Sequence, residues 1–138
     1  VQRTVESAIT TRIGGDWRMV ISANTVSNIE HIALVKGDIS TGDPILVRMH
    51  ALDLMADLLG AVSEKRAGDE LATAMAAIAK AGCGVIVVLR ESIVSSLSSM
   101  VSQKLNRTSD TGGNRDLRDY GVGAQILADL GIRKMILL

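Results

Sequence analysis

Near the carboxyl end of the chain, Asp116-Leu117-Arg118-Asp119 sets carboxylates on both sides of one guanidinium. An arginine can grip a phosphate group in fork geometry, and a carboxylate nearby can orient it. The same residues, placed ahead of a helix, also suit a plainer role. There the carboxylates cap free backbone N–H groups and Arg118 pairs with either neighbour. The chain has two histidines. His31 opens an apolar run and reads as structural, and His50 reads as a satisfied histidine of the core or a sheet edge. Cys83 stands alone, so no internal disulfide and no four-cysteine zinc site can form. Between Gly82 and Gly84, just before an apolar run, it is expected to act as a buried small hydrophobe.

The elements that must position these residues follow from apolar period and from glycine. Residues 1–22 alternate weakly and suggest two strands joined at Gly14-Gly15. Residues 20–29 read as loop, 31–36 as a strand apolar on both faces, 37–44 as turn and 45–49 as a second strand. Leu52, Met55, Leu58, Leu59 and Val62 recur at helical spacing over 51–62. Asp69 is placed to cap the next helix, which carries Leu71, Met75, Ile78 and Ala79 and stops at Gly82. Residues 84–90 are short and β-branched, as expected of a strand buried on both faces. Over 91–114 serines interleave with Ile93, Leu97, Met100, Val101 and Leu105, which predicts a marginal helix and then a loop. A short helix over 122–130 and a last strand over 134–138 complete the pattern. A helix leading directly into a buried strand predicts an α/β (α+β) class, a mixed sheet packed with helices.

Composition narrows the function classes. The 138 residues fit one domain, 1–138, with 1–22 as its first strands or as a linker from a preceding domain. Fifteen basic and fifteen acidic residues cancel, which argues against a nucleic-acid binder. Trp17 and Tyr120 are the only aromatic residues, so stacking platforms for bases are scarce. No apolar run approaches a membrane span and no secretory signal is present, so a cytoplasmic protein is expected. The chain lacks a starting methionine and ends inside an apolar strand, as expected of a piece of a longer protein.

Three stretches carry a family resemblance. The first runs from His31-Ile32-Ala33-Leu34-Val35-Lys36-Gly37-Asp38-Ile39 to Val47-Arg48-Met49-His50. The second is Ile78-Ala79-Lys80-Ala81-Gly82-Cys83-Gly84-Val85-Ile86. The third is Asp116-Leu117-Arg118-Asp119-Tyr120-Gly121-Val122-Gly123-Ala124-Gln125-Ile126-Leu127, followed by Asp129-Leu130-Gly131-Ile132-Arg133-Lys134-Met135. Over roughly residues 30–138 the chain resembles the GTP cyclohydrolase II family of riboflavin biosynthesis, without large gaps.

That resemblance implies a reaction in which the imidazole ring of GTP is opened and formate and pyrophosphate are released. It implies a zinc ion on three thiolates, spaced Cys, ten residues, Cys, one residue, Cys, to supply hydroxide at neutral pH. An ungapped match puts Asp53, Glu64 and Arg66 at those positions, so no thiolate is left. Asp53, Glu64 and His50 could suit a harder ion, but Arg66 would set a positive charge where the third ligand belonged. A solvated turn at Glu64-Lys65-Arg66 is the preferred reading. The family's Ser-Glu after the histidine is Ala51-Leu52 here, and its Gln-Glu-Gly-Arg segment is Glu91-Ser92-Ile93-Val94. A slip of one residue aligns Glu91 with the base-reading glutamate, which leaves Arg48 and Glu91 as nucleotide contacts. Asp116 and Arg118 match the family's Asp-x-Arg, where the arginine is the proposed nucleophile on the α-phosphate.

The resemblance therefore implies a catalytically degenerate domain. It would be the structural or regulatory partner of a fused 3,4-dihydroxy-2-butanone 4-phosphate synthase, with zinc absent. A homodimer is implied, with residues 93–105 as a candidate contact. Two alternatives are residual nucleotide hydrolysis by Asp116 and Arg118 with Mg²⁺, and a sensor that binds GTP weakly without turnover.

Overall fold

A computed structural model describes residues 1–26, 28–52, 54–62, 69–90 and 113–138, with the backbone path alone for 54–56 and 113–120. The described elements run β1 (Gln2–Thr11), β2 (Gly15–Ala23), β3 (Glu30–Lys36), β4 (Ile45–Ala51), α1 (Leu54–Leu59), α2 (Glu70–Ala81), β5 (Gly84–Leu89), α3 (Gly113–Asp129) and β6 (Met135–Leu137). The strands form one sheet in the order β1-β2-β3-β5-β4-β6. Its β1-β2-β3-β5 half is antiparallel, and β4 pairs in parallel with β5 on one side and β6 on the other.

The strand period separates two cores. Ala33, Val35, Ile45, Val47, Val85, Val87 and Leu89 face one way, where Ile126 and Leu127 of α3 cover them. Leu34, Ile86 and Val88, one residue out of phase, face the other way with Trp17 and are covered by Ala74, Met75 and Ile78 of α2. All six residues of β5 are buried, as its continuous β-branched run predicts. The crossover from β4 steps sideways to β5. The next crossover returns past β4 to β6. Two crossovers of one hand but opposite direction must place α2 and α3 on opposite faces.

Glycine sets two of the joints. Gly82 takes φ 84° at the end of α2, and its N–H bonds back to Ile78 and Ala79, as the sequence predicted. Gly37 takes φ 70° where β3 ends, and a Cβ there would clash with the Gly82 carbonyl. The turn after β3 and the turn before β5 are therefore packed backbone against backbone.

Several boundaries differ from the sequence reading. Residues 20–23, read as loop, continue β2 because each has partners on both β1 and β3. α1 is shorter than the helix expected over 51–62, since Ala51 still pairs with Leu89. Asp69 makes no side-chain cap bond, although its carbonyl accepts the Thr73 N–H at 2.9 Å. α3 starts at Gly113, well before residue 122. Residues 1–22, strand or linker by sequence, are strands of the sheet.

Candidate functional site

The chain reverses its winding direction between β4 and β5. In open sheets of this kind ligands bind outside the carboxyl ends of the strands at such a switch point, where the two loops part and leave a crevice. Here those ends are His50, Ala51 and Leu52 on one side and Leu89 and Arg90 on the other, still joined by the Leu52 N–H to the Leu89 carbonyl at 2.8 Å. Because β3 runs antiparallel to β5, its first residues, Glu30 and His31, lie at the same end.

His50 is fully buried, and its Nε2 donates to Asp57 Oδ2 at 2.8 Å. The bond ties α1 to the end of β4. Among the described residues its Nδ1 has no hydrogen-bond partner, so the expectation of a satisfied histidine holds there for one ring nitrogen only. Asp57 was missed from sequence. The signal available was the second of two carboxylates, Asp53 and Asp57, in the otherwise apolar stretch Leu52 to Leu59. His31 is structural, as expected. Its Nδ1 accepts the Arg90 N–H at 3.0 Å and fixes where the chain leaves β5. Burial, and then the Arg90 charge, push its pKa below the usual imidazole range.

Arg48 lies on the α2 face with His50, and its Nη1 reaches the Leu138 carbonyl at 3.4 Å. That directs it across the sheet toward the edge strand. Asp116 and Arg118 lie inside α3, in its early turns, and not ahead of a helix. This corrects the capping role: with the helix starting at Gly113, these residues are past the positions a cap occupies. Farther along α3, Gly123 packs so closely on Met49 that a Cβ would run into its sulfur, with Leu89 beyond. At 1.5 Å per residue, Arg118 and Asp116 lie about 8 and about 11 Å along the axis from that contact. The helix therefore brings the Asp-x-Arg pair to the neighbourhood of the β4 and β5 exits. Asp53, Glu64, Arg66, Glu91 and residues 93–105 lie outside the described residues. A shallow open depression on the β1–β2 hairpin, lined by Glu6, Asp16, Arg18 and Gly37, is remote from these exits.

The cysteine answers the question of zinc. Cys83 precedes β5, and its Sγ meets the Asp38 carbonyl at 3.1 Å in the turn between β3 and β4. It is partly exposed, not buried as the sequence suggested, and burial with nearby Asp38 and Asp43 raises its pKa. His50 stands opposite Val88, five residues along β5, or roughly 17 Å of strand from Cys83. Zinc–sulfur bonds are about 2.3 Å long, so the chain's one thiol and His50 cannot share an ion. The donor set does not fit a three-thiolate zinc centre.

The model of the GTP cyclohydrolase II family matches residues 2–138. The chain belongs to that family. Riboflavin biosynthesis protein RibBA of Bacillus cereus (strain AH187) is 40% identical over 148 positions, which take in 100% of this chain and 37% of the relative. RibBA of Chlorobium phaeovibrioides (strain DSM 265 / 1930) is 38% identical, with shares of 100% and 36%. A solved structure of RibBX, a two-domain 3,4-dihydroxy-2-butanone 4-phosphate synthase from A. baumannii, superposes with a TM-score of 0.66 at 27% identity. It covers 99% of this chain and 33% of that one. The chain thus spans about a third of the length of these relatives.

The match begins before residue 30, so the β1–β2 hairpin is part of the family domain. An alignment of 148 positions against 138 residues also contains gaps, where the sequence reading expected none of size. Among the described residues, no helix is long and apolar enough to cross a membrane.

Proposed function

We propose that this chain is a GTP cyclohydrolase II domain that has lost ring opening and serves as the structural or regulatory partner of a 3,4-dihydroxy-2-butanone 4-phosphate synthase domain in a longer cytoplasmic protein. The observation that carries the reading is the cysteine. Without thiolates near His50 there is no strong route to hydroxide at neutral pH, and ring opening needs one. The solved relative supports the pairing, since it is a two-domain synthase of which 33% superposes on this chain. An apolar surface supports a docking role. Leu58 and Leu59 of α1, Val62 after it, and Ile136 and Leu137 of β6 are all more than half exposed. Large exposed apolar side chains, on the helix that follows β4 and on the strand that pairs with it, suit contact with another domain. The contact expected at residues 93–105 lies outside the described residues, and α1 and β6 are further faces available to a synthase domain or a second copy.

A second reading rests on the position of α3. The helix keeps Asp116 and Arg118 near the strand exits, so the phosphate half of the family reaction could persist with Mg²⁺ while ring opening is lost. One assay separates the readings: GTP is incubated with the protein at high concentration with Mg²⁺ and Zn²⁺, and the products are resolved. Untouched GTP is the expected result. Pyrophosphate without formate would establish the second reading, and formate would overturn both.

A further inference from the structure

Both ends of the chain point toward one end of the sheet. β1 starts with Gln2 opposite Ala23, the last residue of β2, and Ala23 stands opposite Glu30, where β3 begins beside the β5 exit. β6 runs parallel to β4, so Leu138 also heads toward the end where β4 and β5 finish. The first residues are fastened there. Val1 packs against the core that α3 covers. Arg3 Nε donates to the Asp129 carboxylate at 2.9 Å, and its Nη2 donates to the Asp129 carbonyl at 3.0 Å. Asp129 closes α3, and carbonyls at the end of a helix need partners from outside it. A segment joined ahead of Val1 would therefore enter without slack.

The same end carries exposed apolar side chains. Leu58 and Leu59 of α1 and Val62 beyond it stand out from the fold, and the Asp57 bond to His50 holds α1 at the finish of β4. Val26, in the turn between β2 and β3, is 93% exposed. Its turn is braced, since the Val26 N–H donates to Asn24 Oδ1 at 3.0 Å and the Asn24 N–H to the Ile29 carbonyl at 2.9 Å. An apolar side chain on a braced turn loses little conformational freedom when it is covered.

The choice of occupant follows from linkage. The chain is about a third of the length of its relatives, so the larger part of such a protein lies outside this fold. A domain on a short linker is held at an effective concentration in the millimolar range, well above that of a separate chain. From either terminus, that linker starts toward the strand exits.

We propose that the linked synthase domain docks on the strand-exit end of this fold, over Val26, Leu58, Leu59 and Val62, at the mouth of the crevice between β4 and β5. The inference rests on the partner role proposed above and names the face that role uses. β6, on the flank of the sheet, lies outside the contact.

The test uses the longer protein that contains both domains. Val26→Cys, Leu58→Cys and Leu137→Cys are made one at a time, and maleimide labelling of each site is followed by peptide mass spectrometry, which keeps other thiols apart. Within this fold the three positions are 93%, 71% and 61% exposed. Docking should reverse that order, with positions 26 and 58 labelled about tenfold or more slowly than 137 at every protein concentration. Val26→Glu with Leu58→Glu should expand the longer protein in small-angle scattering, and Leu137→Glu should leave its dimensions unchanged. Protection at 137 with fast labelling at 26 and 58 would overturn the face and keep the partner role. Protection at 26 and 58 that is lost on dilution would name a second copy as occupant and overturn the proposal. Fast labelling at all three sites in a compact protein would overturn the face alone. The same rates in a protein whose scattering is that of two domains that do not touch would overturn the partner role as well.

Discussion

His50 is buried with one ring nitrogen held by Asp57 and the other without a partner among the described residues. Asp57→Ala takes away the Nε2 partner and leaves a buried donor unpaired, a loss of about 1–3 kcal/mol. Urea unfolding followed by Trp17, the only tryptophan, would measure it, and Asp57→Asn should lose less because an acceptor oxygen remains. His31 gives a pH signature. Its folded pKa lies below the ordinary 6.5, so between the two values the unfolded chain binds more protons than the folded one. Stability therefore rises with pH through that window, is complete above it, and declines as acid is added below about 6.5. His31→Gln keeps an acceptor for the Arg90 N–H and should remove this part of the slope in unfolding curves between pH 5 and pH 7, an interval of roughly two units about the reference value. Little of this was legible in the sequence. The histidines were visible as residues worth testing, but the partner of His50 is set by how α1 folds back on β4. The acceptor role of His31 is set by a backbone N–H, which leaves no mark on residue type.

Elements were read better, because glycine and apolar period are local signals. Gly14-Gly15 joins β1 to β2, Gly82 ends α2, and Gly84 opens β5, all as the sequence indicated. The failures were at ends fixed from a distance. Residues 20–23 belong to β2 because two neighbouring strands hold them, and Gly113-Asn114, loop chemistry by type, starts α3. Gly37 tests the element scale. Gly37→Ala puts a Cβ against the Gly82 carbonyl at a left-handed φ, with backbone on both sides of the clash. A loss of about 2 kcal/mol or more is expected from strain and overpacking together, read as a fall in the urea midpoint. Gly82→Ala, with open space around its Cβ, should cost less, since only its φ is strained.

At the scale of the whole molecule, β6 is one of the two edges of the described sheet, and its three residues are exposed and apolar. A bare apolar edge is a template for association, which proteins usually blunt with charge. Leu137→Lys should reduce self-association in sedimentation experiments and change unfolding stability by no more than about 0.5 kcal/mol, as for other surface positions. Unchanged association would move the contact away from β6.

The place of β5 has a consequence for how the chain reaches this state. β3 and β4 are made first, yet β5 ends up between them. The central slot of the sheet must stay open until residues 84–89 arrive, and a pairing that distant in sequence forms slowly. Meanwhile Gly84-Val85-Ile86-Val87-Val88-Leu89 is six residues of strong β preference with no charge and no proline, a composition prone to stick to copies of itself. Refolding becomes a race between insertion, whose rate does not depend on concentration, and aggregation, whose rate does. Recovery of native protein should therefore fall steeply as the chain is refolded at higher concentration, even though the finished sheet is no less stable there.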